Sequence, residues 1–290
     1  MNSPVSEKRT LLWITGAAGL IGNSLVKVAS TLSSSINIRP ITRSDFDLTD
    51  YRALQQAFYK EQPNIIIHCA AMSKSPECFA QPELAKKVNT DLVRFFCNLA
   101  QGSRFVFFSS DLVFDGKKGN YKETDQVNPL SVYGRTKVEA EEFVLAHSNS
   151  LIIRTSLNCG ISLSGNRGFN EQMKLAWAQG RTLQLFIDEF RSPIFADITA
   201  RATLELAFSK EKGIFHVAGA ERLSRYEIGM LLSQRYYQLK PKIQPTSLKE
   251  YKGEPRPADT SLDCSKAMNT ITTKLPGFSE WLRDQAPTEF

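Results

Sequence analysis

Five short strand-like runs, most of them apolar throughout, separated by segments with helical spacing, constrain this chain more than any other feature. The runs fall at 11–15, about 36–42, 65–69, 105–108 and 151–153. Between them, 20–32, 51–60, 83–101 and 134–146 carry helical patterning, and Asp50 is placed to cap the second of these helices. Strands alternating with helices of this length pair in parallel through crossovers, so the expected fold class is α/β, a doubly wound parallel sheet. Runs that are apolar on both sides fit, because helices cover both faces of such a sheet. Past Arg154 the alternation loosens into a Gly/Ser/Asn-rich loop at 158–168, a further helix and short strands, and 241–257, with its four prolines, reads as turns. The predicted division is a main unit at 1–155, with 194–220 (including a late strand at 213–217) returning to it. A smaller C-terminal lobe is expected from 156–193 and 221–290.

The 290 residues suffice for that two-part plan. A hydrophobic fraction of 42% with 23% charged residues is ordinary for globular chains and excludes disordered and fibrous classes. The longest apolar run, 65–72, is far below the ~18 residues of a membrane span. The first ten residues lack the apolar core of a signal peptide and the C-terminus has no lipidation box, so a soluble, cytoplasmic protein with no membrane partner is expected. Five cysteines without a CxxC pair read as reduced thiols, and three scattered histidines give no zinc site. The net charge of +6 raises the question of nucleic acid, but Lys86-Lys87, Lys117-Lys118, Lys240 and Lys242 form only short runs without aromatics. No nucleic-acid partner is expected; the positive excess suits an enzyme with phosphorylated ligands.

Gly16, Ala18, Gly19, Leu20, Ile21 and Gly22 stand between the first strand and the first helix in GxxGxxG spacing. Glycines let the backbone turn tightly and approach a pyrophosphate, whose charge the helix N–H groups offset. The usual dinucleotide fingerprint has one residue fewer in its first gap, so position after a strand carries much of this reading. At the end of the second strand the residues are Arg43 and Ser44, with the first acid, Asp45, only afterwards. An arginine there accommodates a ribose 2′-phosphate where an acid would take a 2′-hydroxyl, which favours NADPH over NADH. The competing reading of Arg43 is a solvated loop residue.

Ser109 and Ser110 close the fourth strand, at the edge where open α/β sheets bind ligands. Tyr133 and Lys137 lie one helical turn apart on one face. A free phenol is a poor proton shuttle at neutral pH, and a nearby ammonium is expected to lower its pKa toward the working range. Ser110 then holds the carbonyl oxygen that Tyr133 protonates. YxxxK alone is common on ordinary helices; the glycine turn and the strand-end serine give it weight.

With these motifs the chain resembles the extended short-chain dehydrogenase/reductases along nearly its whole length. Asp47-Leu48 is similar to that family's adenine-contacting pair, and Cys69, Ala70 and Ala71 to its alanine-rich strand end beside the cofactor. Asn89 is similar to its helix asparagine supporting the active site. Within the superfamily the segment from Ser109 to Gly116 resembles the STDxVFDG of the dTDP-4-dehydrorhamnose reductase family. Asp188–Pro193 resembles that family's DQFGSPT stretch and Arg256–Asp263 its late RPxxSxLD box, with Thr260 for the first serine. The resemblance implies substrate contacts at Ser73, Asp111, Leu112, Leu157 and Arg256, the last as a bidentate clamp on a nucleotide diphosphate. Asp111 is read either as a sugar-hydroxyl contact or as a solvated carboxylate. The family usually carries Tyr at Leu112 and Trp at Leu157, so the pocket is expected to differ.

The implied activity is hydride transfer to a nucleotide-linked 4-keto-deoxysugar, with NADPH (alternatively NADH) as cofactor, no metal, and pairing into a homodimer through helices. Two rivals are an epimerase or dehydratase that recycles its NAD, and a non-catalytic NADP-binding regulatory subunit similar to that of methionine adenosyltransferase.

Overall fold

The computed structural model describes residues 9–285; the stretches on which the signal-peptide and lipidation expectations partly rest, 1–8 and 286–290, lie outside the described residues. Strands β1 (Thr10–Thr15), β2 (Ile36–Ile41), β3 (Ile65–His68), β4 (Arg104–Ser110) and β5 (Ser150–Thr155) join the late strand Gly213–Val217 in one six-stranded sheet. From edge to edge the order is Gly213–Val217, β5, β4, β3, β1, β2, and every pairing is parallel. The chain steps outward from β1 to β2 and then crosses to the other side for β3, so the order reverses at β1/β3. Such a reversal opens a crevice at the carboxyl edge.

Side-chain parity explains why the inner strands β1, β3, β4 and β5 read as largely apolar. Leu12, Ile14, Ile65, Ile67, Val106, Phe108, Leu151 and Ile153 bury on one face, together with Leu25 and Val28 of helix α1 (Leu20–Ala29) and Ala200 and Leu204 of the helix Ala196–Phe208. Trp13, Ile66, Phe105, Phe107 and Ile152 bury on the other, against Leu54 and Phe58 of helix α2 (Tyr51–Glu61), Val93 and Phe96 of Leu92–Leu99, and Ala140 and Val144 of Val132–Leu145. Asp50 caps α2 as its position predicted, its carboxylate accepting from the Arg52 and Ala53 N–H groups.

A second core surrounds Trp177, Phe195, Ile228 and Phe278, in a lobe that includes the helices Phe169–Ala178 and Arg225–Arg235. Three expectations need correction. The stretch 83–101 is not one regular helix: Pro82–Lys86 passes into a π-helical turn, Lys87–Asp91, before Leu92–Leu99 resumes. The proline-rich 241–257 segment contains a strand, Lys242–Thr246, paired parallel to Thr182–Phe186. A two-stranded ribbon tolerates Pro245 because one side of each strand has no ladder to donate to. The lobe also does not claim all of 221–290, since Leu262, Cys264, Ala267, Ile271 and Leu275 bury in the core of the main sheet. Among the described residues no helix is long and apolar enough to cross a membrane, and no group of His, Cys, Asp or Glu is placed to hold a metal ion.

Candidate active site

The register sets Thr15 of β1 level with Ile41 of β2 and His68 of β3, and Ser110 of β4 level with Thr155 of β5. Gly16 follows Thr15 with φ +65°, a conformation that disfavours any Cβ, and a Cβ there would lie 2.8 Å from the Ala70 nitrogen. At Gly22 a Cβ would run into the Gly16 carbonyl. The turn is therefore closed tightly on itself and on the 69–70 backbone. Helix α1 has Gly19 as its N-cap, so it has no side-chain cap, and no acid in its first turn. Its first N–H groups point out of the helix end with no intrahelical acceptor. A backbone cradle with side chains kept out and uncapped donors fits the diphosphate of a dinucleotide.

At the end of β2, Asp45 is held by the Arg39 guanidinium (2.8 Å) and by the Thr42 N–H (2.9 Å), which bring its pKa down to about 2. The first acid after the strand is thus tied to the protein, while Arg43 and Ser44 stay exposed. Asp47, though exposed, is engaged by its own loop, its Oδ1 accepting from the Thr49 N–H and hydroxyl, which lower its pKa with a further contribution from the neighbouring Arg43 charge. Leu48 is half-buried against the α2 side of the sheet.

Beyond β3, Cys69, Ala70 and Ala71 are half-buried and Ser73 is exposed. Buried Asn89 sits in the π-helical turn, a deviation frequent at functional sites. Its Oδ1 accepts from Met72 N–H (2.8 Å), and its Nδ2 donates to Met72 O (3.0 Å) and Thr136 Oγ1 (3.1 Å). Asn89 therefore ties the strand-end loop to the helix that carries Tyr133.

Ser110, Tyr133 and Lys137 are all buried. The Tyr133 helix starts at Val132, capped by the Ser131 hydroxyl on Gly134 N–H and by Glu254 on Val132 N–H. Gly134 allows close approach: a Cβ there would collide with the Leu112 carbonyl. Ser110 is close enough to Tyr133 to act on its titration, while its own hydroxyl donates to Asp111 Oδ1 and accepts from the Leu112 N–H. Lys137 donates to Phe108 O (2.8 Å), with its nitrogen 4.5 Å from the Phe107 ring centroid and 5.8 Å from that of Tyr133.

The electrostatics differ from expectation. Burial raises the Tyr133 pKa above its ordinary value, and the negative charge of Asp111 raises it further; the nearby Ser110 hydroxyl and the Arg191 charge pull the other way without prevailing. The expected lowering by Lys137 is not found, because its ammonium is drawn to the Phe108 carbonyl and is itself brought down to about 8 by burial.

Asp111 is the largest departure. It is fully buried, which removes the solvated-carboxylate reading. Its Oδ1 accepts from Ser110 Oγ (3.0 Å) and Arg191 Nη2 (2.5 Å). Its Oδ2 accepts from Ser156 Oγ (2.6 Å), Arg191 Nε (2.6 Å) and Thr260 Oγ1 (3.3 Å). Five protein donors leave no room for a sugar hydroxyl. Arg256 likewise has its fork on Glu189, at 2.7 and 2.9 Å. Leu112 packs beside Tyr133, Cys78 and Met72, while Leu157 packs with the lobe core. Arg191, Ser156 and Glu189 were missed from the sequence. Arg191 lies within the 188–193 motif, so its place there was the available signal.

A doubly wound parallel sheet with a glycine turn at its reversal and a buried Ser–Tyr–Lys set at its carboxyl edge defines an extended short-chain dehydrogenase/reductase. The chain belongs, through residues 10–287, to the family described as RmlD substrate binding domain. It is 29% identical to a dTDP-4-dehydrorhamnose reductase of Aggregatibacter actinomycetemcomitans, covering 94% of this chain and 96% of the relative. It is 28% identical to methionine adenosyltransferase 2 subunit beta of Xenopus laevis, covering 90% and 82%. A solved dTDP-4-dehydrorhamnose reductase from Bacillus anthracis, in complex with NADP, superposes with a TM-score of 0.86 at 26% identity, covering 95% of this chain and 98% of that one.

Proposed function

We propose that the protein is an NADPH-dependent reductase of a nucleotide-linked 4-keto-deoxysugar. The observation that carries this reading is the buried Tyr133, near Ser110 at the carboxyl edge of the sheet and kept protonated at neutral pH by burial. A phenol that keeps its proton is suited to give it to a carbonyl oxygen that gains electrons.

When bound, NADPH supplies the hydride to the carbonyl carbon. The backbone from Gly16 to Gly22 takes its diphosphate, and Arg43 with Ser44 takes the 2′-phosphate that the tied Asp45 does not repel. Ser110 orients the carbonyl oxygen, and Tyr133 delivers the proton to it. Lys137 provides a positive charge under the site and further N–H donors for the cofactor ribose. Asp111 does not touch substrate in this reading; it fixes Ser110. The lobe supplies the substrate side, with Leu112 where the family carries an aromatic. A cytoplasmic homodimer completes the reading, its oligomeric state checked by light scattering of the purified protein.

The subunit relatives favour a second reading, a cofactor-binding partner of another enzyme. Mixing the protein with NADPH and a panel of dTDP-, UDP- and GDP-4-keto sugars separates the two. Loss of 340 nm absorbance on any of them supports the reductase; NADPH binding without turnover on every member supports the partner subunit.

A further inference from the structure

Arg256 was the natural candidate for the substrate's phosphates, yet both arms of its fork are on Glu189. Arg191 is likewise bidentate to Asp111. A third guanidinium completes the group. Arg225 opens the lobe helix Arg225–Arg235, with its backbone N–H on Glu189 O at 2.9 Å. Its Nη1 is buried without a hydrogen-bond partner among the described residues. Its contact is with the Phe169 ring, 5.6 Å from guanidinium carbon to centroid. The charges acting on it are Glu189 and Asp111 on one side and Arg191 and Arg256 on the other. Three guanidiniums face two carboxylates, and both carboxylates are already held by the other two arginines.

Arg225 as a residue is half-buried, but its Nη1 is closed off with no acceptor, and a buried N–H of a charged group left unpaired is costly, so the fold is short of an anion there. We propose that Arg225 is the anion-docking residue of this site, taking a phosphoryl oxygen of the nucleotide sugar while Arg191 and Arg256 keep Asp111 and Glu189 in place. The site is adjacent to the chemistry: Asp111, which feels the Arg225 charge, holds Ser110, and the Arg191 charge reaches Tyr133. Burial brings Arg225 down to about 10, still charged at neutral pH. The phosphoryl oxyanion could belong to a nucleoside diphosphate or to free pyrophosphate. The inference rests on the nucleotide-sugar reading for the first source alone.

Titration calorimetry with dTDP, UDP, inorganic pyrophosphate and thymidine, on wild type, Arg225→Met and Arg225→Lys, tests it. A charged hydrogen bond of ordinary strength predicts nucleoside-diphosphate binding weakened about 10- to 100-fold in Arg225→Met and partly restored in Arg225→Lys, with NADPH and thymidine binding unmoved. Without ligand, Arg225→Met should melt at or above the wild-type temperature, because it removes an unpartnered buried N–H. Equal nucleoside-diphosphate affinity in wild type and Arg225→Met overturns the proposal, as does wild type binding neither nucleoside diphosphate nor pyrophosphate. Arg225-dependent binding of pyrophosphate without nucleoside diphosphate keeps the anion site and overturns the nucleotide-sugar reading instead.

Discussion

At the scale of single residues, the site is governed by what burial does to Tyr133 and Lys137. The phenol is pushed up by burial and Asp111, so it stays protonated through the neutral range. The ammonium is pushed down to about 8, so it loses its charge at mildly alkaline pH. Replacing Tyr133 by Phe removes the proton donor while keeping the ring against Leu112 and Cys78. The expected result is a fall in kcat of about a hundredfold to ten-thousandfold with NADPH affinity unchanged, measured by single-turnover kinetics and by NADPH fluorescence. Turnover within tenfold of wild type would remove Tyr133 from the acid role. The pH profile separates the two groups. As pH rises through about 8, Lys137 becomes neutral in the folded protein while Tyr133 keeps its proton, so kcat/KM should decline on the alkaline side with an apparent pKa near 8. A profile flat from pH 7 to 10 would show that the Lys137 charge is not used. The sign for stability is opposite to the familiar gain of a partner: a lysine whose folded pKa is depressed destabilises the fold below that pKa. Its penalty is full below about 8 and fades as pH rises toward the unfolded value of 10.5.

At the scale of elements, the strand–turn–helix unit around Gly16–Gly22 and the Tyr133 helix are legible in the sequence, because each rests on local rules. Glycines at a strand end, an Asp before a helix, and a Tyr and Lys one turn apart all announce themselves within a few residues. The π-helical turn at Lys87–Asp91 was not legible, since its widening serves a distant contact, Asn89 reaching Met72 and Thr136. Nor was the Lys242–Thr246 strand, whose prolines argue for turns and whose partner lies about sixty residues earlier. The local rules make a paired prediction. Gly22→Ala sets a methyl against the Gly16 carbonyl, so the turn must open. The expected outcome is at least tenfold weaker NADPH binding and about 1–3 kcal/mol lost in urea unfolding, the ordinary range for overpacking. Asp50→Ala, which removes the cap of α2 on the opposite face of the sheet, should lose about 1 kcal/mol with NADPH binding intact. If both variants weaken NADPH equally, the glycine turn has no special standing.

At the scale of the whole molecule, one buried carboxylate joins the two parts of the fold. Asp111 follows β4, while Arg191 comes from the lobe, in a short strand paired antiparallel to Leu223–Ser224, and Thr260 from the late loop also donates to Asp111. The sequence could not show this, because 111, 191 and 260 meet only after the lobe has docked on the sheet edge. Asp111 stands beside Ser110, so the same contacts that seat the lobe also fix the hydroxyl used in the chemistry. A buried pair of this kind is poor evidence of net stabilisation, since desolvating two charges offsets much of their attraction. Removing one partner is a different matter. Asp111→Asn keeps the shape but leaves Arg191 with Glu189, 3.7 Å away and already bidentate to Arg256. The expected loss is about 3–5 kcal/mol in denaturant unfolding, with activity falling because Ser110 is no longer held. The double variant Asp111→Asn/Arg191→Met removes the stranded charge as well, so it should recover a large part of that stability without recovering activity. A double-mutant cycle reads both quantities. Strictly additive stability losses would mean that the two residues are not coupled across the junction, and active double-variant protein would mean that Ser110 needs no support from Asp111.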